Sequence, residues 1–261
     1  MKIKFGFTDA LSYFQDLMTD NKRHNVYLGD IHNMLDVVNK FSRQVKNYNI
    51  IQVGDFGFGF GNQKDRTFDF QRLETMTNAL RLGNNHLYVI RGNHDNPNCW
   101  DGRYNNEFIT LVPDFTIMEL AGYTHLFIGG ATSPNRLNLL ENNNYWKDEI
   151  LPLNTGTFHP QQQIDVVVTH TCPDFCFPLG LGKIVSDFEA MGDKTLRQEC
   201  LNERRALTQL YSNMIDPPEY WFYGHFHNHC VFRHNDTEFR LLNVNEFFEI
   251  GDITLTQEGW S

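Results

Sequence analysis

Five apolar stretches of this chain end in the same way, and that repetition restricts the fold more than any other feature. Residues 26–29 (VYLG) run into Asp30 and His32, residues 50–53 (IIQV) into Gly54 and Asp55, and residues 87–90 (LYVI) into Arg91 and the sequence GNHD. Farther on, residues 164–168 (IDVVV) run into Thr169 and His170, and residues 219–223 run into Gly224, His225, Phe226 and His227. Short runs rich in β-branched and aromatic residues are the signature of strands buried on both faces. Between the first three, Leu35, Val38 and Phe41 recur at helical spacing within 33–47, and Phe68, Leu73, Met76 and Leu80 do so within 65–82. Strand and helix in alternation predict a parallel sheet, and such sheets gather ligands at the carboxyl ends of their strands.

The second half changes character. Residues 115–129 read as a hairpin turning at Ala121-Gly122, and residues 132–162, rich in Asn and Gln, as a long loop with short helical pieces. Residues 184–214 are mainly helical and charged, and residues 230–256 alternate like three or four strands. Two mixed sheets packed face to face, with helices outside, accommodate this order. No repeat or low-complexity linker divides the chain, so residues 1–261 are expected to form one domain with 1–24 as an extension. In that extension MKIKFGF reads as an edge strand, and Thr8 as the cap of a short helix turning Leu11, Phe14 and Leu17 or Met18 inward.

Composition narrows the class of function. A hydrophobic share of 41% fits a packed globular chain, and a net charge of -10 argues against strong binding to nucleic acid. No apolar run reaches the roughly 18 residues of a membrane span, and the N-terminus lacks the pattern of a signal peptide. The five cysteines are irregularly spaced, which suits reduced thiols and a cytoplasmic location. Cys172 and Cys176 read as packed or idle thiols rather than ligands, since no second pair answers them.

The strand ends deliver Asp30, His32, Asp55, Asn93, His170, His225 and His227. Carboxylates, imidazoles and one amide make a donor set too large for one ion, and two ions sharing a carboxylate would use it. A nitrogen and oxygen set without thiolate suits manganese, iron, zinc, cobalt or nickel, and manganese is the expected ion. Each motif alone is ordinary, since an isolated Gly-Asp is commonly a turn. All five in order, each after an apolar strand, are not. His24, His86, His125, His159, His229 and His234 are assigned to packing or surface roles, although His229 lies close to the last motif.

The motif set GDIH, GDFG, GNHD, VTH and GHFH, over about residues 25–250, resembles the calcineurin-like metallophosphoesterases. That resemblance implies a four-layer α/β/β/α sandwich and a dinuclear phosphoesterase. It implies one metal held by Asp30, His32, Asp55 and His227, and a second by Asp55, Asn93, His170 and His225. It further implies a metal-bridging hydroxide as nucleophile and His94 as general acid, its imidazole oriented by Asp95. Protein phosphatases of the superfamily typically show GDxVDRG and GNHE. Here the corresponding segments are GDFGFGFG and GNHD, without the early arginine. A phosphodiesterase acting on a small phosphoester, nucleotides included, is therefore expected. A phosphomonoesterase, a nuclease and a non-catalytic scaffold of the same fold are the alternatives.

Several residues around these motifs stay open. Arg66 and Arg91 are candidates to reach the phosphate, Lys183 is expected to be solvated with a phosphate contact as the other reading, and Asn135 and Arg136 could line a groove. In FGFGFGNQ (56–63) the phenylalanines are expected to pack beneath the loop, with stacking on a planar substrate group as the other reading.

Overall fold

The computed structural model describes residues 23–61 and 66–250, with the backbone only over 66–70. The expected N-terminal strand and helix lie outside these residues. One sheet has the order β11-β1-β2-β3-β4, from Phe247–Glu249, His24–Leu28, Tyr48–Gln52, His86–Val89 and Ile109–Leu111. The other has the order β5-β6-β7-β8-β10-β9, from Thr116–Leu120, Tyr123–Ile128, Val166–Thr169, Tyr220–Tyr223, Thr237–Leu241 and Cys230–His234. β1 to β4 run parallel, and β11 closes their sheet antiparallel to β1. β6, β7, β8 and β10 are parallel, with β5 and β9 antiparallel at the edges.

Alternation along the strands builds the layers. Side chains of a strand point in turn to opposite faces. Val26, Leu28, Ile50, Leu87 and Val89 face one apolar cluster, which also takes Val38 and Phe41 from α1 (Asp36–Ser42) and Leu73, Met76 and Leu80 from α2 (Arg66–Leu82). Tyr27, Ile51, Val53 and Ile90 face the other way and meet Phe127, Val166, Val168 and Phe222 of the second sheet. Leu126, Ile128, Val167, Trp221 and Tyr223 form the third cluster with Leu207 and Leu210 of α4 (Leu196–Ser212). Three apolar seams thus separate four layers, the expected α/β/β/α order. In the middle seam Tyr27 stacks on Phe222 at 3.7 Å, and its hydroxyl and His125 Nε2 are 2.7 Å apart. Burial lowers the His125 pKa to about 4, so this imidazole is a neutral partner joining the two sheets.

The hairpin turns at Ala121-Gly122 as expected, with both residues left-handed (φ 49° and 84°). The other boundaries move for local reasons. The first helix is shorter than 33–47, because His32 and Asn33 are left-handed before it (φ 41° and 70°) and Asn47 is left-handed after it (φ 62°). The helical segment 184–214 is two helices, α3 (Leu181–Ala190) and α4, parted at Gly192 with φ 123°. β4 has only three residues and carries too little pattern to be read from sequence. Of the strands expected in 230–256, three fall within the described residues, and the last of them joins the opposite sheet. Among the described residues no helix is long and apolar enough to cross a membrane.

Candidate metal centre

The carboxyl ends of β1, β2, β3, β7 and β8 meet along one edge of the sandwich. The exit loops are tied to each other. His32 N donates to Asp55 O at 2.9 Å, Asn33 N to Phe56 O at 2.9 Å, and Gly224 N to His170 O at 3.1 Å. Four of the candidate ligands have left-handed backbone: His32 (φ 41°), Asp55 (φ 56°), His225 (φ 70°) and His227 (φ 47°). Non-glycine residues seldom adopt this conformation, and it concentrates where surrounding structure holds a functional group in place. The turn at the GHFH motif is therefore made by its histidines, and Gly224 is not left-handed. Gly224 is needed for close approach, since a Cβ there would lie 2.0 Å from Asp30 Oδ1.

Two groups of ligand atoms form, and Asp55 belongs to both. Asp30, His32, Asp55 and His227 are one group, Asp55, His170 and His225 the other, with the atoms of each group within 4.8 Å of one another. In the first, His32 Nε2 faces His227 Nε2 at 2.8 Å, Asp30 Oδ2 is 3.4 Å from His227 Nε2, and Asp55 Oδ2 is 3.9 Å from His32 Nε2. In the second, His170 Nε2 is 3.2 Å from Asp55 Oδ1 and 3.1 Å from Asn93 Oδ1. His170 Nδ1 faces the carbonyl of Val53 at 2.8 Å, so it carries the proton and leaves Nε2 as the donor atom. Asn93 turns its amide nitrogen to Ser133 Oγ at 3.0 Å, which aims its oxygen at the same place.

The charges fit divalent cations. Asp30 and Asp55 are 0% and 1% exposed, and their ion pairs are with histidines alone; no lysine or arginine among the described residues reaches them. A buried carboxylate needs a compensating charge. Burial opposes the charge on Asp55, but His170, and behind it His94 and His32, hold its pKa well below the usual carboxylate range. Burial also opposes protonation of His170, yet Asp55 raises its pKa to about 9. That proton stands where a cation would serve both groups better. His225, lowered to about 3 by burial and then by His170, offers a neutral nitrogen.

His94 lies beside this cluster, its backbone N–H donating to Asp55 Oδ1 at 2.7 Å. Asp95 has a different task from the one expected of it. Its carboxylate accepts from Gly92 N at 2.7 Å, Phe56 N at 3.2 Å, Gly57 N at 2.7 Å and Phe58 N at 2.9 Å, and makes no hydrogen bond to the His94 ring. The His94 ring instead packs edge-on to His32 at 5.2 Å and is stacked on Phe60 at 4.6 Å, 29° from parallel. The loop 56–61 is thus split. Phe56 and Phe58 pack in the core as expected, while Phe60, half-buried, reaches the site.

The open candidates separate as well. Arg91 is turned away, held by Asp114 Oδ2 at 2.9 Å and by the carbonyls of Asp148, Glu149 and Ile150. Arg136 is held by Asp193, Glu199 and Thr195. Lys183 is solvated and pairs with Asp187 one helical turn on. The Arg66 side chain lies outside the described residues. His229 pairs with Glu246 at 2.6 Å, and Cys172 and Cys176 are buried free thiols. Sequence reasoning missed Ser133, and for Phe60 it put packing beneath the loop ahead of a place at the site. The glycine pair Gly129-Gly130 was the signal for the Ser133 loop: a Cβ on either would meet Arg91 at 2.6 Å.

The family model described as calcineurin-like phosphoesterase matches residues 26–229. No curated protein matches the chain. Among solved structures, the TT1561 protein of Thermus thermophilus is similar at 12% identity and a TM-score of 0.46, with 85% of this chain and 90% of that one covered. The phosphopantetheinyl hydrolase of Mycobacterium tuberculosis is similar at 12% identity and a TM-score of 0.46, with 86% and 91% covered. The anchor GAP50 of the Plasmodium inner membrane complex is similar at 14% identity and a TM-score of 0.38, with 84% and 71% covered.

Proposed function

The chain belongs to the calcineurin-like phosphoesterase family, and from that premise we propose that it is a metal-dependent hydrolase of small phosphodiesters, with nucleotide-type substrates favoured. The observation that carries this reading is the carboxylate of Asp55, shared by two groups of ligand atoms. Asp30, His32, Asp55 and His227 would hold one divalent cation, and Asp55, Asn93, His170 and His225 the other. Manganese is the expected ion, with iron, zinc, cobalt and nickel as alternatives. When bound, such ions would supply charge neutralisation of a phosphate and a lowered pKa for a nearby water.

The protein's own groups supply the rest. The His94 ring nitrogens have no hydrogen bond from the described residues, and the ring is only partly buried. A ring nitrogen of His94 is therefore available to give a proton to the departing alkoxide oxygen, a contribution on the order of 10²–10⁴-fold in rate. Asp95 and the β3 backbone fix where that ring begins. The preference for a diester rests on charge. With Arg91 spent on Asp114 and peptide carbonyls, no described arginine or lysine clamps the site. A singly charged diester needs less compensation than a doubly charged monoester. We infer that this catalytic unit is one domain acting in the cytoplasm, where free thiols such as these persist.

The test is hydrolysis of bis-p-nitrophenyl phosphate against p-nitrophenyl phosphate with added Mn²⁺, using Asp55→Asn as the blank. The diester is expected to turn over faster, and the blank to be inactive with reduced metal content. Turnover of the monoester alone would make the enzyme a phosphatase. Two bound metals with no turnover of either ester would narrow the choice to a narrowly selective enzyme or a non-catalytic scaffold.

A further inference from the structure

The proposed acid, His94, has no carboxylate on its ring. A histidine χ2 torsion is broad and roughly two-fold, so an imidazole without a partner sweeps a wide range of orientations. A proton donor misplaced by even 1 Å can lose on the order of 10²-fold in rate. Something must hold the plane of this ring, and two ring contacts are present: a T-shaped one with His32 and a stacked one with the face of Phe60.

Phe60 is itself held firmly. Asp95 takes the N–H groups of Phe56, Gly57 and Phe58, so the start of its loop is fastened to the end of β3, next to His94. Phe58 is in the core with its ring edge-on to Tyr104 at 4.8 Å, and its carbonyl accepts from Asn96 N at 2.9 Å. Gly59 and Gly61 on either side of Phe60 are left-handed (φ 69° and 90°). A Cβ on Gly59 would meet Asn96 Cβ at 2.8 Å. Gly61 N donates to Asn143 O at 2.8 Å, which ties the far side of the turn to another loop. Trp146, buried, stands 6.1 Å from the Phe60 ring. The ring is thus presented from a turn anchored at both ends.

We infer that Phe60 is the positioning residue for His94, its ring face setting the plane of the imidazole, with Asp95 acting through the 56–58 backbone instead of on the ring. This rests on His94 being the proton donor, and it assigns Phe60 to the enzyme's own acid, not to the substrate. Aromatic pairs at this separation have a preferred geometry, whereas an aliphatic side chain has none to impose.

The experiment uses methyl aryl phosphates whose leaving groups run from p-nitrophenol to phenol, with wild type, Phe60→Ala, Phe60→Leu, Phe60→Tyr and His94→Asn. Metal content and melting temperature are measured for each. A p-nitrophenolate leaves with little help and a phenolate needs its proton. Phe60→Ala and Phe60→Leu are therefore expected to lose on the order of 10-fold in kcat on the phenyl ester, little on the p-nitrophenyl ester, and to keep their KM. Phe60→Tyr keeps a ring face and is expected to recover most of that loss. Equal losses on both esters, or a raised KM with kcat intact, would overturn the positioning role, the second result making Phe60 a substrate contact. Phe60→Leu, which keeps apolar bulk, decides the matter if the alanine variant does not fold. His94→Asn separates the two layers of inference. If it shows no leaving-group dependence, the general-acid reading fails; if it does and the Phe60 variants do not, only the role of Phe60 fails.

Discussion

Asn93 is the one amide in the candidate ligand set, and which of its two amide atoms meets a cation depends on its neighbour. Ser133 Oγ accepts from Asn93 Nδ2, and Ser133 N donates to Glu149 Oε1 at 3.1 Å, so the serine is itself fixed. Partners of this kind, one bond removed from a metal, commonly cost 10–100-fold in affinity when lost. Ser133→Ala should accordingly weaken the site of His170 and His225 by about that factor while leaving the other site near its original affinity. Stepwise Mn²⁺ titration resolves the two. Equal weakening of both sites, or of neither, would show that Ser133 does not orient the amide.

Elements, not single residues, hold the loop on which Ser133 sits. Glu203 of α4 accepts from both the backbone N–H and the hydroxyl of Thr132, at 2.9 and 2.8 Å, pinning this loop to the outer helix layer. Burial raises the Glu203 pKa from 4.5 to about 7, against the pull of those hydrogen bonds. The folded protein therefore holds this proton more tightly than the unfolded chain does. The resulting stabilisation is complete below the ordinary carboxylate pKa and is lost as pH rises through about 7. Glu149, also raised to about 7 by burial, acts in the same direction. Glu203→Gln should flatten part of the fall in melting temperature between about pH 5 and about pH 8. A difference between variant and wild type that does not change over that range would remove Glu203 from the pH dependence.

On the scale of the whole molecule, the candidate centre spans two sheets that also meet through a mainly apolar seam, crossed by the Tyr27–His125 and Asn25–Leu120 hydrogen bonds. Asp30, His32, Asp55 and Asn93 follow strands of one sheet, and His170, His225 and His227 follow strands of the other. Cations bound there stabilise only the docked arrangement, by about 2.7 kcal/mol for each ion present at a hundred times its Kd. Chelation should lower the melting temperature, and Mn²⁺ should restore it. An unchanged melting temperature after proven metal removal would mean that the seam alone sets stability. Much of this was legible in the sequence, because uninterrupted apolar strands and the polar groups at their ends leave a pattern in the chain. β4, with three residues, left too little pattern, and β11 gave no sign that it would cross to the other sheet. The task of Asp95 was hidden because its partners are backbone N–H groups, which every residue but proline carries. Phe60 was hidden because alternation with glycine says nothing about which ring is left outside the core.

The contact between His32 and His227 spans 195 positions. A chain emerging from the ribosome can complete the first sheet's contribution early, but the ligand group around Asp30 stays open until the end of β8 and the turn after it have been made. β11, which borders β1, is later still. Metal capture at this centre would therefore report that synthesis has passed this turn and that the sheets have docked. A truncated or stalled product would carry most of the ligands and still lack a closed centre.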